Sequence, residues 1–269
     1  GFDTYELSIM KVDGALVFNG DNIDQVDANN IAYLQDGQWY AIPNNIVGQV
    51  SDIEIHDNQL YVSGNFEIAG PDPIYDIVRY DGQAWYGFGK EQEANNVTDM
   101  VWHNDILYIA GALFSIDGVT HNGVTKMDER GWSDTGLKNT DKPSNLFVQG
   151  DTLWAWGQVQ NTEPNSIHTA SYHVNGEWHT LPSLLNSDRG VVNSLVMYDN
   201  KMYCGYSEGG IYILENDRWI QKSELEIEKL YVQNGKLKCA TKYDRIASIL
   251  EIITLDSDLT IISTDFTLK

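Results

Sequence analysis

Apolar and polar residues follow one another along this chain in short runs of about five, without the 3–4 spacing of a helix face. The runs are rich in β-branched and aromatic residues and end at Asp, Asn or Gly. That is the make-up of short strands separated by turns. In one stretch Val50 to His56, Leu60 to Gly64, Ile77 to Tyr80 and a segment beginning near Trp85 read as four successive strands, a to d. No window sustains a helical period, so almost no helix is expected.

The strand-b pattern recurs. Leu16-Val17-Phe18-Asn19-Gly20, Leu60-Tyr61-Val62-Ser63-Gly64, Leu107-Tyr108-Ile109-Ala110-Gly111 and Leu153-Trp154-Ala155-Trp156-Gly157 are followed by two degenerate copies, Met202 to Tyr206 and Leu237 to Thr241. A second marker keeps step with it, a turn followed by Trp39, Trp85, Trp132, Trp178 or Trp219, with Leu259 near that place in the last copy. Four antiparallel strands repeated six times at about 45 residues predict an all-β, six-bladed β-propeller. The repeats span approximately 5–46, 47–93, 94–140, 141–187, 188–225 and 226–269, in a single domain. Packing each sheet on its neighbours buries both faces, and the tryptophans serve that packing.

Turn chemistry assigns the two ends of the sheets. The a–b connections, among them Asp57-Asn58, Asn104-Asp105, Asp199-Asn200 and Asn234-Gly235, are tight hairpins of residues that tolerate positive φ. The c–d connections Asp36-Gly37, Asp81-Gly82, Asn175-Gly176 and Asn216-Asp217 match them. In an up-and-down sheet both sets lie at one end, so the long b–c and d–a connections fall at the other. The b–c connections run as loops over 21–30, 65–76, 112–123 and 158–169. Long segments on a rigid scaffold are where ligands bind. The candidate ligand residues on that face are Trp156, Phe66, Asp72, Asp117, His121, His168 and Arg189.

A second candidate lies at the start of strand a, where Val50-Ser51-Asp52, Val97-Thr98-Asp99, Pro143-Ser144-Asn145, Val192-Asn193-Ser194 and Ile227-Glu228-Lys229 correspond. With strand a innermost, Ser8, Asp52, Asp99, Asn145, Ser194 and Lys229 form a polar ring at the mouth of the axial channel. Asp52, Asp99 and Asn145 offer the hard oxygen donors that Ca²⁺ takes; the same groups read first as strand-end caps that bind water, since Lys229 would compete with a bound cation.

Charge and cysteine content narrow the functions. With 39 acidic and 17 basic residues the formal charge is −22, which repels phosphate backbones and excludes nucleic acid as a partner. No apolar stretch is long enough to cross a membrane as a helix. Cys204 and Cys239 hold the same place in consecutive repeats, so two buried thiols and no disulfide are expected. Gly205-Tyr206-Ser207-Glu208-Gly209 matches a nucleophile-elbow pattern but ends a strand with no helix to follow.

The unit Leu60-Tyr61-Val62-Ser63-Gly64-Asn65-Phe66, continued by Ile77-Val78-Arg79-Tyr80-Asp81-Gly82-Gln83-Ala84-Trp85, resembles the kelch-like, galactose-oxidase-type propeller repeats of secreted and surface-anchored bacterial proteins. The resemblance implies export to the surface or periplasm and a binding or adhesion role. The expectation is thus an exported, monomeric, non-enzymatic propeller that binds a glycan or a surface protein. The alternatives are a Ca²⁺-dependent hydrolase or lactonase with metal at the channel mouth, and an interaction subunit of a cell-surface assembly.

Overall fold

In the computed structural model the described residues are 9–12, 15–20, 30–35, 38–41, 46–68, 74–88, 92–94, 97–116, 119–137, 141–159, 166–168, 170–185, 192–206, 209–241, 250–256 and 258–268. Among them the chain is all β, with no helix. The first sheet comprises β1 (Ile9–Val12), β2 (Ala15–Gly20), β3 (Asn30–Gln35) and β4 (Gln38–Ala41). The second holds β5 (Ile46–His56), β6 (Gln59–Ile68), β7 (Ile74–Tyr80) and β8 (Trp85–Gly87). A short strand, β9 (Gln92–Ala94), precedes β10 (Val97–His103), β11 (Ile106–Ile116), β12 (Val119–Asp128) and β13 (Gly131–Asp134) of the third. Then come β14 (Asp141–Gln149), β15 (Thr152–Val159), β16 (Ser166–His168), β17 (Ala170–Val174), β18 (Glu177–Thr180) and β19 (Ser183–Leu185). The fifth sheet is β20 (Val192–Tyr198), β21 (Lys201–Tyr206), β22 (Ile211–Glu215) and β23 (Arg218–Ser223). The sixth is β24 (Ile227–Gln233), β25 (Lys236–Thr241), β26 (Leu250–Leu255) and β27 (Ile261–Leu268). Each sheet runs in chain order, the fourth as β14-β15-β17-β18, while β16 pairs with β19 and β9 joins β11. The chain divides into two compact units, residues 1–155 with 173–178, and residues 156–172 with 179–269.

The tight turns take the backbone that their residues favour. Asp57-Asn58, Asn104-Asp105, Asp199-Asn200 and Asn216-Asp217 have positive φ at both positions, as do Asn175-Gly176 and Asn234-Gly235. Such turns match the twist of the strands they join. The second c–d connection is built differently: Asp81 accepts hydrogen bonds from the N–H groups of Gln83 and Ala84 at 2.8 and 2.9 Å. Those two bonds hold its carboxyl below the ordinary range.

In the second, third and fifth sheets strand b is buried on both faces, which explains its unbroken apolar signature. Leu60, Tyr61, Val62 and Ser63 are all buried, and so are Leu107 through Ala110 and Met202 through Gly205. The burial comes from sheets stacked face to face. In the first unit Ile31 packs into the second sheet's core. Tyr61 and Ile77 then meet Val97, Met100, Leu107 and Ile109 of the third. Tyr108 and Val124 meet Leu146 and Leu153 of the fourth in turn. In the second unit Tyr203, Ile211 and Ile213 pack on Ile227, Leu230, Leu237 and Ile253. Cys204 and Cys239 are buried free thiols, and burial pushes the Cys239 thiol up to about 12.

The repeat tryptophans do more than pack. Trp132 Nε1 donates to the Phe88 carbonyl at 3.0 Å, Trp178 Nε1 to that of Thr135 at 3.1 Å, and Trp219 Nε1 to that of Pro182 at 2.9 Å. Each ties strand d of one repeat to the segment after strand d of the repeat before. Leu259, at the sixth place, has no N–H in its side chain and packs into the apolar core of the second unit.

The long connections depart from expectation. Residues 65–68 and 74–76 continue β6 and β7 as an extended hairpin, which Ile46–Gln49 joins as a third strand. In the third repeat β11 and β12 run on past Gly111 with Phe114 opposite His121 and Ile116 opposite Val119, and β9 pairs alongside. The b–c connections of these repeats are therefore β structure over most of their length, not loops.

Candidate functional site

Two regions carry polar groups at positions that the topology makes equivalent. The first is the far end of the second sheet. β6 leaves the Asp57-Asn58 turn at Gln59 and ends at Ile68, so the hairpin extension stands at the opposite end from the tight turns. The extension has two unlike faces. Ile46, Phe66 and Ile68 are buried with the core, whereas Val47, Gln49, Asn65 and Glu67 are exposed. Val47 faces Glu67 and Gln49 faces Asn65 in the ladder, which sets four exposed side chains side by side. Gly48 permits this crossing: its φ is +128°, and a Cβ there would collide with the backbone of Asn65 and Phe66. The ladder slips between Ser63 and Glu67, and buried Asp76 repairs the slip by accepting the Phe66 N–H at 3.1 Å. Asp76 itself has φ +59°.

Of the residues singled out for this end, Phe66 is a core residue, only 3% exposed, and Trp156 is buried too. Burial gives both a packing role. His121 lies in β12 opposite Phe114, and His168 in β16 opposite Ser183; only their backbone is described. Asp72, Asp117 and Arg189 fall outside the described residues. The exposed set Val47, Gln49, Asn65 and Glu67 was missed, although the alternation from Asn65 to Ile68 is a strand signal. The same holds for Phe114 to Val119, where Asp117-Gly118 sits between two β-branched runs.

The second region is the margin formed by the a strands. In the second, third, fifth and sixth sheets the ladder slips at the same point, between Val50 and Asp52, Val97 and Asp99, Val192 and Ser194, and Ile227 and Lys229. The residue just past each slip turns its side chain toward the next sheet when it is Asp or Ser. Asp52 Oδ2 accepts the Met100 N–H at 3.0 Å, Asp99 Oδ2 the Leu146 N–H at 2.5 Å, and Ser194 Oγ the Leu230 N–H at 2.9 Å. Small residues stand opposite in strand b: Ser63, Ala110 and Gly205. Gly205 shows why, since a Cβ there would strike Asn193 Oδ1 and Ser194 Oγ. Asn193 adds a second tie, from Nδ2 to the Ile227 carbonyl at 2.8 Å.

Asp52 and Asp99 come together. Met100 N–H lies 3.0 Å from Asp52 Oδ2 and 2.9 Å from Asp99 Oδ1, so the two carboxyl groups converge on one donor. Burial, then the repulsion of Asp99, holds Asp52 well above the ordinary carboxyl range. Burial raises Asp99 as well, with Glu54 adding to the effect. Glu54, two residues along β5, is raised to about 7 by burial and by the Asp52 charge.

Ca²⁺ is one of the two readings that the sequence offers for this margin. Calcium takes six to eight oxygen ligands, but three of the four carboxyl oxygens of Asp52 and Asp99 already accept backbone N–H bonds. Asn145 turns its amide to Ser144 Oγ at 2.8 Å, and Lys229 is exposed. Among the described residues no three His, Cys, Asp or Glu side chains are grouped to hold a metal. Ser8 lies outside the described residues. The strand-cap reading accounts for Asp52, Asp99 and Ser194.

Within each compact unit these features define stacked antiparallel sheets tied at both margins, in an all-β chain. No protein-family model matches the chain, and no curated protein matches it. Solved structures do. The chain is similar to the protein YjhT, with a TM-score of 0.57 at 12% identity over 96% of this chain and 97% of that one. It is similar to the extracellular domain of a hybrid two component system from B. thetaiotaomicron, with a TM-score of 0.58 at 14% identity over 87% of this chain. It also resembles PorZ, a surface component of the type-IX secretion system of Porphyromonas gingivalis, with a TM-score of 0.59 at 12% identity over 97% of this chain. The chain spans 31% and 41% of the last two. At such identities the likeness is one of fold.

Proposed function

We propose that the chain is an extracytoplasmic binding module whose six sheets close into one six-bladed propeller, and that it takes a glycan or protein ligand at the extended end. The observation that carries this reading is the asymmetry of the second sheet. One end is a pair of tight turns, and the other projects the exposed pairs Val47–Glu67 and Gln49–Asn65 from a buried base. A hydrogen-bonded strand surface with exposed side chains in register suits recognition, because little ordering entropy is lost on binding. Face-to-face stacking within each unit and the seam ties repeated from sheet to sheet support closure of the ring. The extracellular and surface contexts of two of the similar structures support the location.

The test is binding to arrayed glycans and glycoproteins by the protein, by Val47→Asp/Glu67→Lys, and by the turn control Asn216→Gly. Tenfold or greater loss in the double variant with retention in the control is expected. Equal loss in both, or no binding by the parent protein, would remove the proposal.

A further inference from the structure

The exposed face of the second sheet's extension carries a third side chain in line with Val47 and Glu67. Tyr75 of β7 stands opposite Glu67, as Val47 of β5 does on the other side, so the three form one row across three strands. Ile46, Ile68 and Ile74 turn the other way, into or against the core. Val47 is 60% exposed, Glu67 is exposed and Tyr75 is half-buried. We infer that this row receives a lysine or arginine side chain of a protein partner, resting on the reading of this end as the binding surface.

The row matches such a side chain part by part. Opposed residues in an antiparallel ladder hold their Cβ atoms about 5 Å apart. One long cationic side chain therefore spans two of them, its methylene stem on Val47 and its charge at Glu67. Tyr75, on the far side of Glu67, adds a ring within reach of the same cation. Among the described residues no lysine or arginine pairs with Glu67. The chain as a whole, with 39 acidic and 17 basic residues, draws cations toward its surface and repels anions. The next row, Gln49–Asn65, holds two amides that both donate and accept, as a peptide backbone requires. A protein segment fits these features better than an amino sugar, whose nitrogen is attached directly to the ring and leaves no stem to lie on Val47.

Binding of the whole chain to an array of short peptides, run in parallel with arrayed glycans, tests the assignment. The retained peptides should carry lysine or arginine. Replacing lysine by acetyl-lysine, or arginine by citrulline, keeps the stem and removes the charge, and should weaken binding by about tenfold or more. Glu67→Gln should lose about as much and flatten the dependence on salt, while the turn control Asn216→Gly keeps both. Retained peptides that bind equally well without their charge, or an unchanged affinity in Glu67→Gln, would overturn the inference. Glycans that bind at this end while basic peptides do not would overturn the cationic side chain and leave the binding surface standing. Amino-sugar binding that Glu67→Gln abolishes would give the row to a glycan and overturn the protein partner. Binding in neither arm would remove the surface and this inference together.

Discussion

In the second and third sheets the residue just past the strand-a slip is an aspartate, and in the fifth it is a serine. All three receive a backbone N–H from the a strand of the next repeat. The aspartates converge on one N–H, and the charges that act on them among the described residues are negative, whereas Ser194 leans on neutral Asn193 at 2.9 Å. The outer margins differ too. Trp132 and Trp178 donate across their seams, while the sixth repeat has Leu259 in the tryptophan's place. One position in the repeat thus performs the same mechanical task through a titratable group or through a group indifferent to pH.

Three measurements press on that difference. The largest effect concerns what the third and sixth sheets share, a buried side chain at the middle of strand b. Ile109→Ala in the third sheet should cost about 2–5 kcal/mol in urea unfolding, and Cys239→Ala at the matching place in the sixth should cost less. Equal costs would mean that the two cores are not packed alike. Ser194→Ala comes next. It leaves the Leu230 N–H without its acceptor and should cost about 1–3 kcal/mol, the same at pH 5 and pH 8. A pH-dependent cost would erase the contrast with the aspartate margin. The smallest effect belongs to Trp132→Phe, which keeps the ring and removes the bond to Phe88. A loss of about 0.5–1.5 kcal/mol is expected, and no loss would reduce the tryptophan to packing alone.

The repeat, the strands and the tight turns were legible because they rest on neighbours in the chain. Asp57-Asn58 and Asn216-Asp217 announce positive φ by residue type alone, and the b-strand signature reports burial on two faces. The extended hairpins were readable too, since Phe114-Ser115-Ile116-Asp117-Gly118-Val119 alternates around a turn pair, but length was mistaken for irregularity. The group that Asp52 caps was not legible. Its partners Met100 and Asp99 lie in the next repeat, and only the stacking of sheets brings them within reach. For the same reason the sequence offers Phe66 and Trp156 as surface residues: nothing local says which face of a strand end meets the core.

The seam ties have a consequence for the order in which the protein is made. Asp52 must wait for a donor 48 residues downstream, and Phe88 for an indole 44 residues downstream. A ribosome releases the amino-terminal repeats first, so each newly emerged sheet waits with a bare apolar flank until its successor has been translated. During that interval the nascent chain needs shielding, and a pause in translation just after a strand d would lengthen its exposure to aggregation.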